Sequence, residues 1–137
     1  KNNLKGVTID ARDIPDLVPI ISVVAGACDG ETRIINAQRL RFKESDRIKS
    51  VVDMLNSVGA GAEETADGII IKGKKDLHGG IVNGYNDHRI VMSASILATL
   101  CKGTVKITDY KAVEKSYPDF FTGFNKIGGN ANVINDG

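Results

Sequence analysis

Leu17-Val18-Pro19-Ile20-Ile21-Ser22-Val23-Val24-Ala25-Gly26-Ala27-Cys28 is a nearly continuous apolar run, and Ile90 to Cys101 is a second of the same kind. Each reads as a buried helix. Pro19 fits only near a helix start, where its missing N–H would have no partner in any case, which puts Asp16 at or beside the N-cap. Sliding the sequence against itself by about 72 positions superimposes the two runs, the strand-like stretches after Gly30 and Gly103, and Lys43 on Lys115; Cys28 falls one place from Cys101. Internal repetition decides the fold class before any other signal. The simplest architecture is α/β, two copies of a βαβα unit with a trailing hairpin or strand. A single doubly wound sheet is the competing arrangement.

Outward from these runs, Val7 to Ile9 reads as a short strand, and Glu31 to Phe42 has strand content ending in Arg39-Leu40-Arg41-Phe42. Ile48, Val51, Val52, Leu55 and Val58 recur at helical spacing behind the polar start Lys43-Glu44-Ser45-Asp46-Arg47, the pattern of a capped amphipathic helix. Gly59 and Gly61 stop it, Ala62–Thr65 and Gly68–Lys72 read as a hairpin pair, and 74–80 reads as loop. Gly80 to Val82 then leads through Asn83-Gly84-Tyr85-Asn86 to Asp87-His88-Arg89 and the second apolar helix. Gly103 turns the chain into Thr104–Ile107. Lys115-Ser116-Tyr117-Pro118-Asp119 opens a helix with Phe120, Phe121, Phe124 and Ile127 on one face, Gly128-Gly129 ends it, and Ala131–Ile134 reads as a last strand.

At 137 residues the chain has the size of one domain on the usual scale of about 100–200 residues. Lys and Arg total 18 against 17 Asp and Glu, net +1, so no field collects polyanions indiscriminately. Aromatic residues are 5% and Trp is absent, which leaves few stacking platforms; nucleic acid is not an expected partner. No uncharged apolar run approaches the roughly 20 residues that cross a bilayer, and the first residues lack a signal-peptide core, so no membrane is expected and the location reads as cytoplasmic. Cys28 and Cys101 each close an apolar stretch and suit buried thiols better than a bridge. With two histidines and no CxxC or HExxH spacing, no metal site is expected. The phosphate-loop, dinucleotide and nucleophile-elbow patterns are also missing.

Chemistry is expected at the helix starts. Asp16 marks the first, Lys43, Glu44 and Arg47 the second, Asp87, His88 and Arg89 the third, Lys115 and Ser116 the fourth. Helix N-termini carry unpaired N–H groups and partial positive charge, so they favour anions. Cations placed there oppose the dipole unless an anionic ligand arrives. Asp16, Asp87 and Ser116 also fit plain N-caps, Glu44 with Arg47 also fits a surface i,i+3 pair, and His88 a hydrogen-bonded structural residue. The recurrence of a cationic start is what points to a small substrate bearing phosphate or carboxylate, handled by one general base and one acid.

Four segments carry a family resemblance: Ile14-Pro15-Asp16-Leu17-Val18-Pro19, Arg39 to Arg47, Asn86-Asp87-His88-Arg89-Ile90-Val91-Met92, and Lys115-Ser116-Tyr117-Pro118-Asp119-Phe120-Phe121. In order and spacing they resemble the C-terminal third of the 5-enolpyruvylshikimate-3-phosphate synthase family, over essentially the whole chain. The resemblance implies transfer of the enolpyruvyl group of phosphoenolpyruvate to the 5-hydroxyl of shikimate 3-phosphate, with release of phosphate and no cofactor. It implies an inside-out α/β barrel of βαβαββ units, about two of them present as repeats near 7–75 and 80–136. On that pattern residues 1–137 form part of a C-terminal domain whose N-terminal partner domain is missing.

By position, the resemblance makes Asp16 the candidate base that contacts the shikimate ring hydroxyls, Lys43 a contact to the same substrate, and Glu44 the carboxyl that moves a proton at the phosphoenolpyruvate methylene. Arg47, Arg89 and Lys115 become the cations on phosphoenolpyruvate, with Asp87 and His88 beside it. Arg39 departs from the pattern, standing where some members have Asn. A fragment of this kind is expected to turn over negligibly alone, and to associate or show limited stability through uncovered edges. The sister transferase acting on UDP-N-acetylglucosamine and a non-catalytic structural module are the alternatives.

Overall fold

The computed structural model describes residues 4–132, with the side chains of 4–6 and of Lys115 outside the described set. β1 (Leu4–Asp10) enters a 3-10 turn at Pro15–Leu17 and then α1 (Val18–Gly26), after which the chain returns in β2 (Gly30–Ile35), parallel to β1 with Thr8 opposite Arg33 and Asp10 opposite Ile35. A parallel pair needs such a crossover, and the apolar run supplies it as a helix. A 3-10 turn at Gln38–Phe42 leads into α2 (Arg47–Ser57), followed by β3 (Gly61–Glu64) and β4 (Ile69–Gly73). β4 lies antiparallel to both β2 and β3, which completes the four-stranded order β1-β2-β4-β3.

β5 (Leu77–Val82), α3 (His88–Ala98) and β6 (Cys101–Ile107) repeat the parallel step as a separate two-stranded sheet. A 3-10 turn at Tyr110–Lys115 and α4 (Phe120–Lys126) follow, so Lys115 and Ser116 close the turn and do not begin a helix as expected; Asp119 holds the N-cap position of α4. The residues after β2 and β6 match in backbone, since Asn36 and Asp109 both sit left-handed at φ 57°. α1, α2 and α3 touch one another, and strands of both sheets pack around them. α2 buries Ile48, Val51, Val52, Met54 and Leu55, and the sheets add Ile34, Ile69, Ile71, Leu77 and Val82. This is the helical stripe and strand alternation that the sequence pattern demands.

Several expectations change. Two sheets, one with antiparallel members, replace the single doubly wound alternative. Both apolar helices end early: α1 stops at Gly26 with Cys28 in the turn beyond, and Cys101 opens β6. Nor are the runs wholly buried, since Leu17, Val24 and Leu100 stand out at 47%, 57% and 45% exposure. The strand expected to reach Phe42 stops at Ile35, because the left-handed Asn36 breaks the extended backbone and the next turn drives Leu40 into the core.

Residues 77–80, expected as loop, are strand, held by pairing with β6 and by the His78 N–H donating to the Val58 carbonyl at 3.0 Å. Gly103 lies inside β6 rather than before it, and its φ of 94° accompanies an irregularity in the β5–β6 register that Gly30, at φ 120°, matches in the first pair. On α4, Phe124 is buried and Phe120 and Phe121 are half-buried, but Ile127 is 84% exposed. Ala131 and Asn132 are not in a strand, and the remainder of the expected final strand lies outside the described residues.

Candidate anion-binding site

Local rules set the start of α2. Asp46 is its N-cap, in extended backbone, and its side chain accepts from the Lys49 N–H at 3.2 Å. Arg41 then draws the approach against the sheet, donating to Asp46 Oδ2 at 2.8 Å, Glu64 Oε1 at 3.1 Å and the Thr65 carbonyl at 3.0 Å. Lys43, Glu44 and Ser45 hang between these two fixtures. Lys43 and Glu44 therefore precede α2 rather than belonging to its first turn, and Lys43 closes the 3-10 turn in extended backbone.

α3 starts on Asp87, which caps it by accepting the Arg89 N–H at 3.0 Å. The same carboxylate takes Arg47 in a fork, Nε to Oδ2 at 2.8 Å and Nη2 to Oδ1 at 2.9 Å, while Ser45 Oγ donates to Oδ2 at 2.8 Å. Burial pushes the Asp87 carboxyl up, but hydrogen bonds from Arg47 and Ser45, the Arg47 charge and the Arg89 N–H outweigh it and hold it below the ordinary carboxylate value. Arg47 side-chain exposure is 4% and that of Asp87 is 0%. A buried pair of this kind is tolerable only where most of its polar atoms are engaged; here both Asp87 oxygens accept, and Arg47 spends Nε and Nη2 on them.

Asp16 forms the open edge. It does not cap α1; Leu17 holds the N-cap position with no side-chain cap bond, and Asp16 sits in the preceding 3-10 turn. Three cations converge on its carboxylate: Arg47 Nη1 at 3.4 Å, Lys43 Nζ at 3.7 Å and Arg89 Nη2 at 3.9 Å. Charge-assisted hydrogen bonds run at roughly 2.7–2.9 Å, so none of the three is saturated by Asp16. Glu44 Oε1 hydrogen-bonds His88 Nδ1 and lies 3.6 Å from Arg47 Nη2. Beside this group is a recess of about 140 Å³ lined by Asp16, Ile20, Arg89, Met92, Ser93 and Phe120.

The structure thus brings Asp16, Lys43, Glu44, Arg47, Asp87, His88 and Arg89 together at one edge; the side chain of Lys115 lies outside the described residues. Two roles differ from expectation. Asp87 is enclosed, with both oxygens already accepting, so a direct contact to substrate is not open to it. Arg47 is nearly as enclosed and gives Nε and Nη2 to Asp87, with Nη1 turned to Asp16, which leaves Lys43 and Arg89 as the accessible cations among the described site side chains, at 33% and 38% side-chain exposure. Glu44, Asp87 and His88 offer donor atoms within 4.8 Å of one another, yet the Asp87 oxygens are occupied by nitrogen and hydroxyl donors. Sequence reasoning missed Ser45 as a ligand of Asp87 and Arg41 as the pin of the approach, because both contacts join residues without any local periodicity.

Fold and site together define an α/β protein that gathers basic and acidic side chains where two successive helices begin. The family profile for EPSP synthase (3-phosphoshikimate 1-carboxyvinyltransferase) matches residues 1–124, and the chain belongs to this family. It is 50% identical over 129 residues to the 3-phosphoshikimate 1-carboxyvinyltransferase of Clostridium novyi (strain NT), covering 94% of this chain and 30% of that protein. The protein of the same name from Clostridium acetobutylicum is 48% identical with the same coverage. The solved EPSP synthase from Acinetobacter baumannii superimposes with TM-score 0.88 at 32% identity, covering 97% of this chain and 32% of that one. The chain spans about 30% of the length of the curated relatives it matches, and its fold is that of the corresponding part of the inside-out α/β architecture.

Proposed function

We propose that the chain supplies one wall of an enolpyruvyl-transfer site, in which the 5-hydroxyl of shikimate 3-phosphate attacks C2 of phosphoenolpyruvate and phosphate leaves. The convergence of Lys43, Arg47 and Arg89 on Asp16 carries this reading, because the donor brings a phosphate and a carboxylate that need several cations at once. Arg89 and Arg47 Nη1, with Lys115, hold the donor anion, and Lys43 contacts the acceptor. Asp16 takes the proton of the attacking hydroxyl. Glu44, oriented by His88, delivers a proton to the methylene carbon as the new C–O bond forms, and the methyl group returns a proton when phosphate departs. Charge that builds on the tetrahedral intermediate meets groups already fixed in place, Arg47 above all, locked by Asp87.

Residues 7–75 and 80–136 are, on this reading, two copies of one unit. The two parallel β-α-β steps, and the paired left-handed residues Asn36 and Asp109, support it. The chain works as part of a longer enzyme whose remaining segments grip the 3-phosphate and close over the donor. Titration of the isotope-labelled chain with millimolar inorganic phosphate is expected to move the signals of Arg47, Arg89 and Lys115. An absence of movement would favour a non-catalytic module. Turnover by the purified chain is expected to be negligible, and ordinary steady-state rates would refute the division of labour.

A further inference from the structure

The segment between β5 and α3 is unusual. Tyr85 and Asn86 are consecutive left-handed residues, at φ 53° and 51°, a conformation that a bulky aromatic residue seldom adopts without outside support. The support comes from two directions. On the β6 side, the Gly84 N–H donates to Thr108 Oγ1 at 3.0 Å and the Asn86 N–H to Asp109 Oδ2 at 3.0 Å, and any Cβ on Gly84 would strike the Thr108 carbonyl at 2.2 Å. On the α2 side, Tyr85 Oη donates to Asp53, whose carboxylate also receives Lys49 Nζ at 3.5 Å, and Lys49 lies 6.0 Å from the Tyr85 ring centroid.

Among the described residues, Tyr85 and Asp87 are the members of this loop whose side chains hydrogen-bond α2 side chains, Tyr85 at Asp53 and Asp87 at Arg47. Asp53 and Arg47 are six residues apart, about 9 Å along the helix. One attachment leaves a loop free to pivot; two, spaced by that distance, fix its angle. We propose that Tyr85, acting through Asp53, is a positioning residue for the anion site, fixing the angle at which the loop presents Asp87 to Arg47 and sets His88 beside Glu44 and Arg89 beside Asp16. The hydrogen bond to Asp53 and partial burial hold the Tyr85 phenol above its ordinary value, so it remains a donor at neutral pH. The consequence for substrate rests on the function proposed above; the clasp itself does not.

The test uses the 137-residue chain with Tyr85→Phe, which removes the donor, Asp53→Ala, which removes the acceptor, and Asp53→Asn, which keeps an acceptor oxygen. Two quantities are read by NMR: solvent exchange of the Arg47 Nε–H, and the affinity for inorganic phosphate. Tyr85→Phe and Asp53→Ala are expected to speed Arg47 Nε–H exchange by about tenfold, while the amides of Val51 and Leu55 stay protected and Asp53→Asn stays near the parent. Phosphate binding should weaken in the same two variants by about tenfold and be retained by Asp53→Asn, as expected for misplaced cations. Unchanged Arg47 exchange, equal acceleration of the core amides, or faster exchange with unaltered phosphate affinity would each overturn the proposal. If the parent chain binds no phosphate, the functional reading falls, and the exchange measurement still decides the clasp. Should Tyr85→Phe fail to fold, the contrast between Asp53→Ala and Asp53→Asn decides it in the same way.

Discussion

The two β-α-β steps begin alike and finish differently. In the first, β4 and β3 extend the parallel pair, and Ala62, Ile69 and Ile71 close the layer over α1 and α2. In the second, β5–β6 stands as two strands among the described residues, β6 presents Lys102, Thr104 and Lys106 to solvent, and Ile81 is 67% exposed. A two-stranded ribbon is marginal alone. Here it rests on α3 and on α2. The second helices differ in the same sense, since α2 buries a whole face and α4 buries Phe124 alone. A shared local pattern therefore gives the same β-α-β step twice, but the strands that follow decide how well each step is covered.

The sharpest way to break this comparison is at the joint. Arg47→Ala or Asp87→Ala strands a buried charge between the starts of α2 and α3, and a loss of about 3–5 kcal/mol is expected in urea unfolding followed by circular dichroism. A loss below about 1 kcal/mol would mean that apolar contacts alone hold the halves together. Next, Leu55→Ala should cost about 2–5 kcal/mol and lower the whole transition. Phe124→Ala should instead loosen α4 locally, seen as faster amide exchange there with α1 unaffected; a global effect as large as that of Leu55 would erase the contrast.

Acid probes the joint more gently. Because the Asp87 carboxyl lies below its unfolded value of about 3.9, its stabilising contribution is complete above that pH and is lost as pH falls through the lower folded value. The urea midpoint should therefore drop on acidification below about pH 4. Asp87→Asn should show a weaker dependence, and identical profiles would remove Asp87 from the acid response. The smallest effect is expected from Asp46→Ala, which removes the α2 N-cap and a half-exposed contact to Arg41 for about 1 kcal/mol, read as a small shift of the same urea transition.

Much of this was legible beforehand where the rule is local. The helical spacing of Ile48, Val51, Val52 and Leu55 behind Asp46, and the Asp87-His88-Arg89 start of α3, are one-turn signals that survive any tertiary context. Leu77 to Gly80 was not legible, because Gly79 and Gly80 carry no alternating pattern, and the strand exists only through its ladder to β6. Nor was the turn at Gln38–Phe42, where Arg41 acts through Glu64 and Thr65, far along the chain. In the site, residue types point to an anionic ligand, yet nothing in the order of residues separates an accessible cation such as Arg89 from an enclosed one such as Arg47.

The sequence by itself determined the α/β pattern, the apolar faces of the helices and the basic and acidic side chains near their starts, since capping, periodicity and proline restriction each act within about a turn of chain. Only the tertiary structure decided that Arg47 and Asp87, 40 residues apart, face each other while Asp16 faces three cations. Packing had to remove water from that pair first, and once water is gone a charged group must take whichever partner the fold brings within reach.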